Sequence, residues 1–178
     1  MLLGKDATGN PVISVNSGET IGKVQGLFLD VDTRRVTGIY LGTEGLFSRT
    51  RHFIYDEDVV VIGPDAILVK NADVIHETSE TDEDDTWLRR DELQGRPVDT
   101  PGGTKVGRVG DIIINSSGEI VGFSLDRVYV AGPIAENGAV AIHTVQDTGQ
   151  EDGIMTINLQ EAEQQSLSVG SNGTMASA

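Results

Sequence analysis

The run Gly18-Glu19-Thr20-Ile21-Gly22-Lys23-Val24 returns, with the same order of residue types, as Gly103-Thr104-Lys105-Val106-Gly107-Arg108-Val109. Each reads glycine, polar pair, β-branched residue, glycine, base, valine. The match resumes at Leu27-Phe28-Leu29-Asp30 against Ile112-Ile113-Ile114-Asn115. It then crosses a turn, one residue shorter in the second copy, to Val36-Thr37-Gly38-Ile39 against Ile120-Val121-Gly122-Phe123. Farther on, Gly63-Pro64-Asp65-Ala66-Ile67-Leu68-Val69 has a weaker echo in Gly149-Gln150-Glu151-Asp152-Gly153-Ile154-Met155. Chance does not keep that order at a nearly constant offset, so the chain reads as a tandem duplication.

Within each copy the signals are those of strands. Residues 24–31 and 35–42 flank Asp32-Thr33-Arg34, a hairpin turn, and Ser116-Ser117-Gly118 joins the corresponding pair with Gly118 placed for positive φ. The apolar alternation is imperfect, as expected where a small barrel closes and both strand faces are covered. Helical signals are brief. Asn158-Leu159-Gln160-Glu161 reads as a capping box opening a short helical turn near the C-terminus, and Trp87 to Leu93 reads as another turn. The expected fold class is therefore all-β: two tandem small β-barrels, at 1–78 and 87–165, with Gly18, Gly22, Gly38 and Gly103, Gly107, Gly122 as their repeated structural glycines. Residues 79–86 hold five acids and no base, which suits a solvated acidic linker. The small, polar residues 166–178 read as a disordered tail.

The whole chain of 178 residues carries 13 Lys and Arg against 28 Asp and Glu, a net charge of −15. Such a surface repels the phosphate backbone, so no direct nucleic-acid contact is expected. Cysteine is absent, which excludes disulfides, thiolate nucleophiles and Cys-ligated metals. No run approaches the roughly 18–20 apolar residues of a spanning helix, and the start lacks a signal-peptide pattern. The expectation is a soluble, cytoplasmic protein without membrane insertion, peripheral association remaining open.

The residues that carry the repeat also carry a resemblance. Gly95-Arg96-Pro97-Val98, Gly103, Val106-Gly107-Arg108-Val109 and Asp111-Ile112-Ile113-Ile114 resemble the opening of a PRC-barrel domain. So do residues 18–24 with 27–30, while Ile54-Tyr55-Asp56-Glu57-Asp58-Val59 and Ile62-Gly63-Pro64-Asp65-Ala66-Ile67 are similar to the family's ending. The family includes the extramembrane part of the photosynthetic reaction-centre H subunit and the C-terminal half of the ribosome maturation factor. The resemblance implies a six-stranded barrel that docks onto other proteins, and it implies no activity.

No motif points to catalysis or a cofactor. His52, His76 and His143 lack a two-histidine metal spacing, and neither a Gly-x-Ser-x-Gly elbow nor a P-loop occurs. Asp30-x-Asp32 and Asp56-Glu57-Asp58 do not continue into a calcium loop, although Asp56 and Asp58 would converge if they lay on a strand. The expectation is no catalytic, cofactor or metal site. The more informative segments are Glu44-Gly45-Leu46-Phe47-Ser48-Arg49-Thr50-Arg51-His52 and Asp126-Arg127-Val128-Tyr129-Val130-Ala131-Gly132-Pro133-Ile134. Both set apolar and aromatic residues beside arginine, the composition of contact surfaces. Leu46, Phe47, Arg49, Arg51, Tyr129, Val130 and Ile134 are accordingly candidate interaction residues. Two other readings stay open: these loops cap their own barrels, or the barrels pack on each other through them. The expected function is a non-enzymatic adaptor docking onto a protein partner, with a basic partner face favoured electrostatically. Its rivals are a ribosome- or RNA-maturation accessory factor binding a basic ribosomal protein, and an accessory protein of a photosynthetic complex at the cytoplasmic membrane face.

Overall fold

The computed structural model describes residues 1–30, 32, 34–44, 50–78, 87–164 and 167. The proposed linker at 79–86 lies outside them, as does the proposed tail apart from Leu167. The first half runs β1 (Leu2–Leu3), α1 (Gly4–Ala7), β2 (Pro11–Ser14), β3 (Thr20–Lys23), β4 (Gly26–Asp30), β5 (Arg35–Glu44), β6 (Thr50–Tyr55), β7 (Val59–Ile62), β8 (Ile67–Val69) and β9 (His76–Thr78). The second runs β10 (Trp87–Arg89), α2 (Arg90–Leu93), β11 (Pro97–Asp99), β12 (Lys105–Ile114), β13 (Ile120–Val128), α3 (Pro133–Asn137), β14 (Ala139–Ala141), β15 (Val145–Asp147), β16 (Met155–Ile157) and α4 (Leu159–Gln164).

Strand registers recur between the halves. Val12 pairs with Gly22 as Val98 pairs with Gly107, and Phe28 pairs with Gly38 as Ile113 pairs with Gly122. The parallel pairing of β2 with β8 sets Val12 on Ile67, and that of β11 with β16 sets Val98 on Met155. This last register corrects the weak echo read from sequence: Ile67 corresponds to Met155, so the turn after Gly149 is two residues longer than the one after Gly63.

The sheets do not close into barrels. Among the described residues they run β14-β13-β12-β11-β16-β15 with β1 added on β12, then β10-β4-β5-β6-β9, and β3-β2-β8-β7. The physical reason lies at the seam. A 3-10 turn, Asp56–Asp58 or Ile142–Thr144, separates β6 from β7 and β14 from β15, strands that do not pair with each other. Its carbonyls are used inside the turn, Asp56 O by Val59 N–H and Ile142 O by Val145 N–H, so the ladder is interrupted there. His143 sits exposed on the second of these turns. Asp56 and Asp58 do not converge: Asp56 faces Arg35 at 3.7 Å and Asp58 faces Lys70 at 3.3 Å.

Two pairings join what the sequence divides. Leu2 and Leu3 of β1 pair with Ile114 and Ile113 of β12, and Leu88 and Arg89 of β10 pair with Leu29 and Phe28 of β4. One apolar cluster consequently contains Leu27, Leu29, Ile39 and Ile54 together with Ile112, Ile114, Phe123 and Val140. A unit of about 75–80 residues buries a modest share of its surface alone, and a shared core offsets that deficit. The C-terminal helix forms as its capping box predicts, with Asn158 Oδ1 accepting from Glu161 N–H at 3.2 Å. Trp87 to Leu93 splits into strand β10 followed by helix α2.

The repeated glycines differ in need. A Cβ on Gly107 would collide with the carbonyl oxygen of Arg127, a backbone atom that cannot swing aside. At Gly22 it would lie 3.2 Å from Leu41 Cδ1, the end of a flexible side chain. Gly107→Ala should therefore lose roughly 1–3 kcal/mol in urea denaturation, the usual cost of overpacking. Gly22→Ala should lose distinctly less, and equal losses would refute the steric account.

Candidate protein-docking site

Period-two alternation gives the five-stranded sheet two apolar faces. Leu27, Leu29, Ile39 and Ile54 point into the shared core, so Phe28, Tyr40, Phe53 and Tyr55 from the same strands gather on the opposite face. Trp87 arrives from β10 and completes them. Its ring lies over Gly38, where a Cβ would come within 3.3 Å of Cζ3, so the missing side chain makes room for the indole. The rings interlock edge to face, Phe28 with Phe53 at 5.0 Å between centroids and Tyr55 with Trp87 at 5.7 Å.

One end of this face opens into a depression of about 250 Å³ lined by Phe28, Tyr40, Arg51, Arg89 and Glu92. β6 supplies Arg51, the last residue of β10 supplies Arg89, and α2 supplies Glu92. Arg89 holds Asp91 at 3.1 Å on the exposed rim, a contact worth little by itself. Toward the other end, the His76 ring meets Tyr55 in a tilted contact, 4.8 Å between centroids. An aromatic floor with guanidinium groups at its edge suits a partner side chain that is planar, acidic or both.

The counterpart face in the second half is built from small residues. Ile113, Gly122, Ala139 and Ala141 occupy the registers of Phe28, Gly38, Phe53 and Tyr55. Leu167 lies against Gly122, its Cδ1 2.8 Å from where a Cβ would stand, and α4 packs on α3 and the 142–144 turn. The chain's own C-terminal segment thus reaches this face.

The residues proposed from sequence fare differently. Leu46, Phe47 and Arg49 lie outside the described residues. Arg51 is half-buried and lines the depression. Tyr129, just beyond β13, is 52% exposed, and its backbone is anchored by a bond from its N–H to Val106 O. Val130 packs against the core from the edge. Ile134 is corrected to a core residue: the one-turn helix α3 directs it inward, leaving it 1% exposed. The sequence reading missed Tyr40, Trp87, Arg89 and Glu92. The aromatic spacing within 53–55 and the lone tryptophan were visible signals, but only the pairing of β10 with β4 brings them together.

Trp87 is the chain's sole tryptophan, so its emission reports on this face alone. Trp87→Ala should cost about 3 kcal/mol, the low end for truncating a large aromatic that is only half-buried. Guanidinium unfolding followed by far-UV circular dichroism measures it, and a loss below a few tenths would mean the ring is not packed as described.

No helix among the described residues is long and apolar enough to cross a membrane. No curated protein matches the chain. Residues 1–75, spanning β1 to β8 and the 3-10 turn after it, match the PRC-barrel domain family.

Proposed function

We propose that this is a non-enzymatic, cytoplasmic docking adaptor built from two PRC-barrel units, 1–78 and 87–165, that binds a protein partner through the aromatic face of its first unit. The observation that supports this reading is the open depression where Phe28 and Tyr40 meet Arg51 and Arg89. Tyrosine, tryptophan and arginine are the residues that dominate binding energy at interfaces, chiefly where they are already held rigid. Here the rings are fixed by one another and by β-sheet pairing, so little side-chain freedom is lost on docking. The net charge of −15 favours a partner whose remaining surface is basic, which also suits a basic ribosomal protein better than RNA itself. Tyr129, displayed beyond β13, is a second anchor available to the same partner.

The test is capture of partners by the immobilised full chain, compared with Tyr40→Ser/Arg89→Ser and with Tyr129→Ser, each first shown to be folded. If both anchors of the double variant are desolvated in the complex, each contributes about 2 kcal/mol, and losing the pair weakens binding roughly a thousandfold. Proteins retained by the parent and lost by the double variant would support the aromatic face. Equal retention by all three chains would overturn it.

A further inference from the structure

The contacts between the halves come in reciprocal pairs. β1 lies on β12 as β10 lies on β4, with Leu2 opposite Ile114 and Leu88 opposite Leu29. The hairpin turns repeat the pattern: Val36 N–H donates to Gly118 O at 2.8 Å, and Ile120 N–H donates to Arg34 O at 2.8 Å. Arg35 and Glu119, which occupy the same place in the two copies, form an antiparallel bridge between these bonds. Arg34 adopts φ 57° where the other turn has Gly118 at φ 81°, so even the left-handed residue of each turn is matched. This is the self-complementary geometry of a twofold dimer, enclosed in one chain.

Backbone contacts of this kind would serve two first halves, or two second halves, equally well. The place where α1 meets α2 would not. Arg90 of α2 donates from Nη1 to Asp111 Oδ1 at 2.9 Å, and Asp111 Oδ2 accepts the Lys5 backbone N–H of α1 at 2.8 Å. Asp111 is 5% exposed, so its charge is satisfied almost wholly by these groups and by the N–H of Ile112 at 2.8 Å. Gly4 leaves the space Arg90 needs: a Cβ there would lie 2.7 Å from Arg90 Cδ and 2.6 Å from Ile112 Cγ1. In the repeat, Gly4 is the counterpart of Arg90, and Gly26 that of Asp111. Two second halves would drive one Arg90 into another. Two first halves would leave a void and an unanswered Lys5 N–H.

We propose that each half is a self-sufficient binding partner for the unlike half through exchanged first strands, and that the Gly4, Arg90 and Asp111 contact selects unlike over like pairing. The proposal does not depend on what the aromatic face binds. To test it, a site-specific protease sequence is inserted within 79–86 and the folded chain is cut there. The cut protein should elute with the uncut one and give one copy of each half by native mass spectrometry. Separation of the halves, or like pairs as abundant as unlike ones, would overturn the proposal. Gly4→Arg in the cut protein should weaken association by about a hundredfold or more, because a second guanidinium displaces the buried pair. Gly4→Arg/Arg90→Gly should restore it, since the new arginine can reach Asp111 from the other half. Unchanged association in the single variant would refute the selectivity, and so would failure of the double variant to recover while the uncut double variant keeps the parent's circular dichroism.

Discussion

The crossing of the two first strands is the constraint on which the remaining structure rests. β1 has two residues and β10 three, so neither forms a ladder of consequence by itself. Each is held because it adds to a strand already paired with another neighbour, and each is followed at once by a single helical turn. Leu2 and Leu93 enter the same apolar cluster as Leu29 and Ile114. The crossing thereby gives the two halves one common core.

The same crossing creates the candidate docking face. Trp87 reaches Phe28, Phe53 and Tyr55 only because β10 lies beside β4. In the second half the corresponding place belongs to Met1, and the neighbouring registers hold alanine and glycine. The two outer faces have thus diverged: one is filled with interlocked rings and edged by arginine, the other is small-residued and approached by Leu167. A docking module needs one distinctive surface on a rigid support, and this divergence leaves the aromatic face as the distinctive one.

Much of the local structure was legible. The turn at Ser116-Ser117-Gly118, the capping box at Asn158 and the recurrence of Gly22 and Gly107 opposite valine all follow from short-range chemistry. The misreadings have a common cause. The convergence of Asp56 and Asp58 required a strand, yet both lie on a 3-10 turn at the seam, which separates their side chains. Ile134 looked like a contact residue because it closes a segment that sets apolar and aromatic residues beside arginine, but the turn of α3 directs it inward.

By itself the sequence determined the β-rich character of the chain, its turns and which side chains alternate, because these depend on residue type at fixed spacing. Tertiary structure decided which strand each of β1 and β10 would join. Backbone hydrogen bonds do not depend on side-chain identity, so Leu2-Leu3 and Trp87-Leu88-Arg89 carry no mark of their partners. That choice was made by packing between residues far apart in the chain: Gly4 yielding space to Arg90, Gly38 yielding space to Trp87, and Asp111 gathering donors from both halves.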